Sequence, residues 1–203
     1  MINALVLAAG ESRRMGQPKP LLRFGATTFL EQIVSVLRHS DVDRITVVLG
    51  ARAEAIRAAV DLPDVDIVVN EAYARGQLSS LIAGLQSAPP QTEAILLCLV
   101  DNPFITTSAV NCVIRAFRET GKPIIVPVAS NRRGHPALFA RAVFPELLNA
   151  PADQGARAVV TAHADRVQEV DVRDSSVLVR IDTPEDYRSH FGADPDILSM
   201  DHP

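Results

Sequence analysis

The 203-residue sequence predicts an α/β fold in three layers, with a mostly parallel sheet covered by helices on both faces. Two observations lead to this prediction. Short apolar segments alternate with helical patterns through the first 128 residues, at the spacing of repeated strand–helix–strand units. The apolar segments are also nearly continuous in hydrophobic character, which is typical of parallel strands that are buried on both faces.

The first part of the chain supplies most of the predicted elements. Strands are predicted at residues 4–9, 44–50, 65–70, 94–100 and 123–128. Helices are predicted at residues 28–39, 52–60, 77–87 and 106–119. Thr106, Thr107 and Ser108 are favourable N-caps for the last of these helices. Gly121 and Pro123 favour the end of that helix and the start of a new strand.

The pattern changes after residue 128, where a polar and turn-like segment begins. We expect helices at residues 139–150, 153–163 and 183–191, and short strands at residues 167–172 and 176–182. Pro184 fits the first turn of the last helix. The later strands make the predicted sheet mixed. We predict one domain over residues 1–190 and an acidic, frayed tail over residues 191–203.

Composition and charge narrow the classes of function. The net charge is −4 and aromatic residues make up 4% of the chain, so a nucleic-acid surface is not expected. The apolar segments are far shorter than the ~20 residues of a membrane span, and the N-terminus lacks the pattern of a secretory signal. Cys98 lies in an apolar segment, which favours a buried, reduced thiol. We therefore expect a cytoplasmic protein with no nucleic-acid or membrane partner.

The segment after the first predicted strand, LAAGESRRMGQPKPLL (7–22), has the chemistry of a phosphate site. Its small residues at positions 8–10 allow the backbone to approach a ligand closely. Ser12 adds a hydroxyl group, and Arg14 and Lys19 add two cations. Lys19 is one of 2 lysines in a chain with 18 arginines. The spacing fits neither the GxGxxG nor the GxxxxGK[ST] phosphate motif. The alternative interpretation is a solvated turn with ordinary surface arginines.

The same segment resembles the nucleotide-binding signature of the sugar-nucleotidyltransferase superfamily, and within it the MobA-like NTP transferases of the molybdenum cofactor cytidylyltransferase branch. Further segments are similar to family motifs in the same order: GQLSSLIAGL (76–85), LVDNPF (99–104), RRGHPALF (132–139), DQGARAV (153–159) and IDTPEDY (181–187). The resemblance extends to about residue 190 and implies a Rossmann-like nucleotidyltransferase fold. LVDNPF departs from the G-D-Q-P or G-D-M-P of that branch, which leaves the nucleotide and the acceptor open.

The resemblance implies roles for several side chains. Arg14 would hold the leaving phosphates of a nucleoside triphosphate, Lys19 would contact the α-phosphate, and Asp101 would complete the catalytic set. The residues implied in nucleotide binding are Leu7, Ala8, Ala9, Gly10, Ser12, Arg14, Lys19, Gln77, Ser79, Ser80 and Asp101. For Gln77, Ser79 and Ser80 the alternative is a plain helix N-terminus.

A magnesium site is also implied by the resemblance, with Asp101 and Asp182 as the metal ligands. Each aspartate follows an apolar segment, and Mg²⁺ prefers a few carboxylates together with water and phosphate oxygens. The residues alone leave alternatives open, because an aspartate near a proline also caps a turn or a helix.

The implied acceptor-binding residues are Arg133, His135, Asp153 and Arg157. His135 could act as an acid or base near neutral pH, but a phosphate acceptor is already an anion and needs no base. His135 is therefore expected to bind the acceptor phosphate. For Asp153 and Arg157 a helix N-cap with a nearby ion pair is an equal alternative.

These observations predict a Mg²⁺-dependent nucleotidyltransferase that moves a nucleotide from CTP to molybdopterin and releases pyrophosphate. The alternatives are a guanylyltransferase that uses GTP, a transferase for another small molecule, and a non-catalytic protein that binds and delivers a cofactor. A dehydrogenase is disfavoured because GxGxxG is missing. Transient contact with a molybdoenzyme or its chaperone is a further expectation.

Overall fold

The computed structural model describes residues 1–197 of the chain. The strands of this part are β1 Ile2–Leu7, β2 Arg23–Phe24, β3 Thr27–Thr28, β4 Arg44–Leu49, β5 Asp66–Val69, β6 Ala94–Leu99, β7 Ile124–Ala129, β8 Arg132–Arg133, β9 Ala137–Ala140 and β10 Val167–Asp171. The helices are α1 Phe29–Arg38, α2 Ala53–Ala59, α3 Gln77–Ser87, α4 Thr107–Thr120, α5 Phe144–Leu148, α6 Ala156–Ala162 and α7 Pro184–Phe191.

The main sheet has eight strands in the order β10-β7-β9-β6-β1-β4-β5, with β8 paired to β7. β1 is parallel to β4 and β6, β4 is parallel to β5, and β7 is parallel to β10. β9 runs antiparallel between β6 and β7. The predicted α/β fold with a mostly parallel, mixed sheet is confirmed. Leu7 at the end of β1 pairs with Val48 and Leu99, so three strands end at the same edge.

Helices pack on both faces of the sheet and create two apolar layers. One layer joins the sheet to α1, α4 and α7 through Leu30, Ile33, Val113, Ile114 and Tyr187. The other layer joins it to α3, α5 and α6 through Leu78, Leu81, Phe144, Leu147 and Val159. The central strands β1 and β6 are fully buried, which explains their nearly continuous apolar sequences. Burial raises the pKa of the Cys98 thiol in β6, and this cysteine is free.

The helix ends follow their capping signals. Thr106 accepts a hydrogen bond from the backbone N–H of Ala109 at the start of α4, and Gly121 ends α4 in the left-handed conformation, as predicted. α7 begins with a capping box between Thr183 and Asp186, and Pro184 lies in its first turn. Asp186 also accepts a hydrogen bond from the backbone N–H of residue 182, which fixes the backbone where the helix begins.

Two predicted elements are wrong. The helix expected at 139–150 is instead β9, a short 3-10 turn and α5, because the segment 137–140 fills the gap between β6 and β7. The strand expected at 176–182 is a 3-10 turn at Ser175–Leu178 followed by extended chain. The backbone groups of that chain bond to loops rather than to a strand: Ile181 donates to the Asp101 carbonyl, and the Asn102 side chain donates to the Val179 carbonyl.

The predicted frayed tail is wrong over residues 195–197, and residues 198–203 lie outside the described residues. The Asp196 carbonyl accepts a hydrogen bond of 2.8 Å from the backbone N–H of Arg23. Ile197 forms an isolated bridge with Leu22, and the Gln17 side chain donates to the Pro195 carbonyl. Residues 195–197 therefore pack against the segment 17–23. None of the helices in residues 1–197 is long and apolar enough to cross a membrane.

Candidate active site

A cavity of about 450 Å³ opens where β1 and β6 end. We call it the charged cavity, because it is lined by the loop 9–14, Lys19, Asp101, Arg180 and Asp182. It is also lined by Tyr73, Ala74, Gly76 and Gln77. Ligands of parallel α/β sheets bind beyond the carboxyl ends of the strands, which is where this cavity lies.

The loop is held in shape by its own backbone and by Ser12. The backbone N–H groups of Met15 and Gly16 donate to the Ser12 carbonyl, and the Ser12 hydroxyl accepts a hydrogen bond of 3.0 Å from the N–H of Lys19. Ser12 has φ +56°, a conformation that a serine rarely adopts. Met15 is buried in the core. Ser12 thus positions Lys19, and the Ser12 hydroxyl oxygen already accepts a hydrogen bond from the protein.

Lys19 lies between the two predicted metal carboxylates. Its Nζ atom is 2.6 Å from Asp182 Oδ1 and 3.7 Å from Asp101 Oδ2, and only 12% of its side chain is exposed. Arg14 is 3.6 Å from Asp182 Oδ1 but is 71% exposed, so it reaches over the site from solvent. The structure therefore brings together the four charged residues that the sequence singled out, Arg14, Lys19, Asp101 and Asp182.

A third cation, Arg180, completes this charged network, and sequence reasoning missed it. Its Nη2 atom donates to Asp101 Oδ2 at 2.8 Å and lies 3.4 Å from Asp182 Oδ2. Three cations therefore face two carboxylates, which leaves the site with an excess of positive charge suited to phosphate. An isolated arginine before an Asp-Thr-Pro motif carries no sequence signal of such a position.

The charges perturb the ionisation of Asp182 and Arg180. Burial raises the pKa of the Asp182 carboxyl, but the hydrogen bond and charge of Lys19, and the charges of Arg180 and Arg14, lower it further, so the net pKa is lowered. Burial lowers the pKa of Arg180, and the charge and hydrogen bond of Asp101 raise it, with a net increase. Asp182 is ionised at neutral pH, and Arg180 is positively charged.

The carboxylate of Asp101 has an unused oxygen. Its Oδ1 atom is buried and accepts no hydrogen bond from any residue in the described part of the chain. Buried polar atoms normally have a hydrogen-bond partner, so a ligand at this oxygen would supply the interaction that the protein does not. No group of three or more His, Cys, Asp or Glu side chains is placed to hold a metal within residues 1–197. Asp101 and Asp182 could hold an ion that takes its other ligands from water and phosphate, as Mg²⁺ does.

The start of α3 lines the charged cavity through Gln77 and Ser80 but not through Ser79. The hydroxyl of Ser79 donates to backbone carbonyls and accepts from the Asn70 side chain, so the structure places Ser79 in support of the helix start. Asn70 is buried, and it also donates to the Ser80 hydroxyl. Sequence reasoning missed Asn70 although a polar residue at the carboxyl end of a strand is a usable signal.

The remaining predicted nucleotide-binding residues divide between the cavity and the core. Leu7, Ala9 and Gly10 line the charged cavity. Ala8 does not, because it points into the apolar layer beneath the loop and is only 1% exposed. Tyr73, Ala74 and Gly76 line the cavity and were not predicted, since nothing in their sequence distinguishes them from an ordinary turn.

A second cavity of about 800 Å³ adjoins the first. We call it the apolar cavity, because its floor consists of Leu78, Leu81, Leu97, Leu99, Val126 and Phe139. The four predicted acceptor-binding residues all line it: Arg133, His135, Asp153 and Arg157. Arg133, Asp153 and Arg157 are exposed at its rim, and Arg133 is paired with Glu169 at 2.7 Å. The structure thus gathers the predicted acceptor residues beside the charged cavity.

His135 differs from the rim residues. Burial is the largest effect on the pKa of its imidazole and lowers it. The charge of Asp101 raises this pKa by less than burial lowers it, and the charge of Arg180 lowers it further, so the net pKa is lowered. His135 is therefore neutral at pH 7. Its Nδ1 atom is buried and has no hydrogen-bond partner in the described part of the chain. A neutral imidazole offers a ligand a hydrogen bond rather than a fixed charge.

The fold and the site together define an α/β nucleotidyltransferase class of protein. The MobA-like NTP transferase domain model matches residues 4–167, and the chain belongs to this family.

Relatives of known name carry different activities. The chain is 29% identical to nicotine blue oxidoreductase of Paenarthrobacter nicotinovorans over 91% of this chain and 93% of that protein. It is 28% identical to molybdenum cofactor cytidylyltransferase of Escherichia coli K12, over 92% and 93% of the two chains. It is also 28% identical to a probable molybdenum cofactor guanylyltransferase of Mycobacterium avium, over 91% and 92%.

Solved structures share the fold over nearly the whole chain. Rv0371c from Mycobacterium tuberculosis H37Rv superposes with a TM-score of 0.84 at 33% identity, covering 95% of this chain and 98% of that one. A structure of the same protein in complex with manganese superposes with a TM-score of 0.81 at 32% identity and the same coverage.

Proposed function

We propose that this protein transfers a nucleotide from CTP to the phosphate of molybdopterin and releases pyrophosphate. The observation that carries the proposal is the pairing of two adjoining cavities, one charged and one apolar, whose shared wall includes Gln77 and Arg180. The charged cavity suits a triphosphate, and the apolar cavity suits the ring system of an acceptor with a phosphate group.

The reaction forms one bond and breaks one. An acceptor phosphate oxygen attacks the α-phosphorus, a new P–O bond forms, and the bond from the α-phosphorus to the β-phosphate oxygen breaks, so that pyrophosphate leaves. Negative charge increases on the α-phosphoryl oxygens and on the leaving group. Lys19, held by Asp182 and by the loop, provides a fixed cation for the α-phosphoryl group. Arg14, which is exposed at the cavity mouth, binds the leaving phosphates.

Mg²⁺ belongs to this proposal, with Asp101 and Asp182 as its protein ligands. The unused oxygen of Asp101 and the small number of carboxylates fit an ion that completes its shell with phosphate and water. The manganese complex of the related Mycobacterium tuberculosis protein supports a divalent cation in this fold. When bound, the ion would neutralise charge on the phosphates. The side chains of Lys19 and Arg180 would compete with it for the carboxylate oxygens.

The choice of nucleotide is tested by measuring pyrophosphate release. Purified protein with Mg²⁺ and molybdopterin is supplied with each of the four ribonucleoside triphosphates in turn. We expect a higher kcat/KM with CTP than with GTP, because the segments after residue 130 resemble those of the cytidylyltransferase branch. A higher kcat/KM with GTP would instead make the protein a guanylyltransferase. Pyrophosphate release with phosphorylated compounds other than molybdopterin would contradict the proposed acceptor.

A second candidate function is an oxidoreductase, and the relative named nicotine blue oxidoreductase favours it. The apolar cavity of about 800 Å³ has room for a flat aromatic substrate. The absence of a GxGxxG motif in the loop argues against a nicotinamide dinucleotide site of the usual kind. The two candidates separate in one assay: oxidation of NADH or NADPH by a quinone-type dye, without pyrophosphate release from any triphosphate, would support the oxidoreductase and contradict the transferase.

A delivery role is a smaller extension of the proposal. A cytidylylated cofactor must reach a molybdoenzyme or its chaperone, and we propose a transient contact with such a partner. The complete set of Arg14, Lys19, Asp101 and Asp182 favours an enzyme over a protein that only binds the cofactor, since binding alone would not require all four.

Two glycines provide a matched test of the loop. A Cβ atom at Gly50 would lie 2.6 Å from Tyr73 Cβ and 2.8 Å from the Ala9 carbonyl oxygen. A Cβ atom at Gly10 would meet no atom of residues 1–197 within 4 Å, its two chain neighbours aside. We expect Gly50→Ala to lower the free energy of unfolding by about 1–3 kcal/mol. Gly10→Ala should leave that free energy unchanged and weaken NTP binding about tenfold, because its methyl group occupies cavity space.

Thermal unfolding and isothermal titration with CTP and Mg²⁺ measure both effects. If Gly10→Ala binds CTP as tightly as the wild type, the nucleotide does not lie against this loop.

A further inference from the structure

We propose that Arg180 binds the acceptor phosphate at the boundary between the charged and the apolar cavity, and so selects acceptors that carry a phosphate. This inference rests on the proposed function. It starts from the residues that line both cavities, which are Leu7, Gln77, Leu99 and Arg180. Arg180 is the only cation among them.

The chemistry of the reaction fixes where the acceptor phosphate must lie. Its attacking oxygen has to approach the α-phosphorus in line with the leaving group, at about 3–3.5 Å. The nucleotide phosphates lie in the charged cavity beside Lys19, and the acceptor body lies in the apolar cavity. The acceptor phosphate therefore lies at the boundary of the two cavities, where Arg180 and Gln77 provide the polar groups.

Arg180 is anchored and still has donors to give. Its Nη2 atom is held by Asp101 Oδ2 at 2.8 Å, with Asp182 Oδ2 at 3.4 Å. Its other N–H groups donate to no residue within 1–197, and 50% of its side chain is exposed. A guanidinium group that is fixed at one nitrogen can present the remaining nitrogens to a phosphate in a fork.

The other cations of the apolar cavity are less suited to this position. Arg133 is paired with Glu169, and both Arg133 and Arg157 lie at the exposed rim, away from the charged cavity that neither of them lines. Two negatively charged groups must approach each other for the reaction, and Arg180 is the cation placed to reduce that repulsion.

The test compares Arg180→Met with Arg188→Met. Arg188 is 52% exposed, pairs with Asp194 at 3.0 Å and lies outside both cavities, so it controls for loss of an arginine in the same part of the chain. With CTP saturating, we expect Arg180→Met to raise the KM for the acceptor about 10- to 100-fold, the usual effect of losing a charged hydrogen bond. The affinity for CTP should change far less, and Arg180→Lys should restore part of the loss. Arg188→Met should behave as wild type.

A binding measurement keeps this inference separate from the proposed function. Phenyl phosphate, an aromatic phosphomonoester, is titrated by calorimetry into protein saturated with a non-hydrolysable CTP analogue. Phenyl phosphate binding that Arg180→Met abolishes and Arg188→Met preserves supports the inference even if no nucleotide is transferred. If transfer occurs and Arg180→Met changes CTP affinity but not the KM for the acceptor, then Arg180 only neutralises the two aspartates and the inference is wrong.

Discussion

Replacing Lys19 by alanine is expected to lower kcat and kcat/KM alike, by about 100- to 1,000-fold. The reason is the position of the ammonium group: the Lys19 side chain is 12% exposed and its Nζ atom is 2.6 Å from Asp182 Oδ1. In the proposed reaction this group faces the region where α-phosphoryl charge increases. An interaction that strengthens in the transition state lowers both constants when it is removed and leaves ground-state binding of the nucleotide nearly intact. Steady-state kinetics of pyrophosphate release and calorimetric titration with CTP measure the two quantities.

The second lysine of the chain is the matched control for this variant. Lys122 is exposed, its Nζ atom donates to the Asp165 carbonyl, and neither residue lines the two cavities. Lys122→Ala should keep the wild-type rate. Lys19→Arg should restore only part of the rate, because a planar fork replaces a compact charge. Thermal unfolding of Lys19→Ala is measured beside its kinetics. The substitution removes a hydrogen-bond donor to Asp182 and is expected to lower the free energy of unfolding by about 1–3 kcal/mol. A folded Lys19→Ala protein with near-normal turnover would refute the catalytic role of Lys19.

Replacing Asp101 by asparagine is expected to have a similarly large effect, a loss of about 100-fold or more in kcat/KM, equivalent to about 2.7 kcal/mol. The side chain keeps its shape but loses its charge, and a neutral amide is a weaker ligand for a divalent cation than a carboxylate. The substitution also removes the charged carboxylate that accepts a hydrogen bond from Arg180. Mn²⁺ binding followed by electron paramagnetic resonance should weaken in parallel with activity.

Asp41→Asn controls for the loss of one aspartate, because Asp41 pairs with Arg118 at 3.5 Å on the exposed surface. It should bind Mn²⁺ and turn over as the wild type does. If Asp101→Asn retains full Mn²⁺ affinity while losing activity, Asp101 acts through Arg180 rather than through a metal. Unchanged activity would remove Asp101 from the site altogether.

The sequence predicts most of the fold because the buried strands carry a strong signal. β1, β4, β6 and β7 are nearly continuous apolar segments, and such segments are typical of strands inside a sheet covered on both faces. The signal fails at 137–140 and 176–182, where the same kind of apolar residue serves an antiparallel strand and an irregular connection. The two outcomes differ in the backbone that each segment bonds to, which is Leu97 and Ile125 for the strand and Asp101 for the connection. These partners are distant in sequence, so a local sequence pattern cannot predict them.

The candidate site is likewise predicted by the sequence only in part. Arg14, Lys19, Asp101 and Asp182 stand in motifs, so their proximity could be expected before the structure was known. Arg180 stands one residue before a motif and is one of many arginines, and its importance arises only from the cavities that meet at its side chain. Ser79 stands inside a motif, yet its hydroxyl group supports the start of α3.

The contacts between the segment 17–23 and the segment 182–197 have a consequence for folding during synthesis on the ribosome. Lys19 and its partner Asp182 are 163 residues apart, and the segment behind Lys19 is held by residues 195–197. At a synthesis rate of about 5–20 residues per second, the loop waits roughly 10–30 s for that partner to emerge. A nascent chain with β1 and the loop complete still lacks half of its charged cavity. A nucleotide that binds in this cavity, as proposed, would therefore stabilise only a chain that has been synthesised beyond residue 182, and it would not guide the early steps of folding.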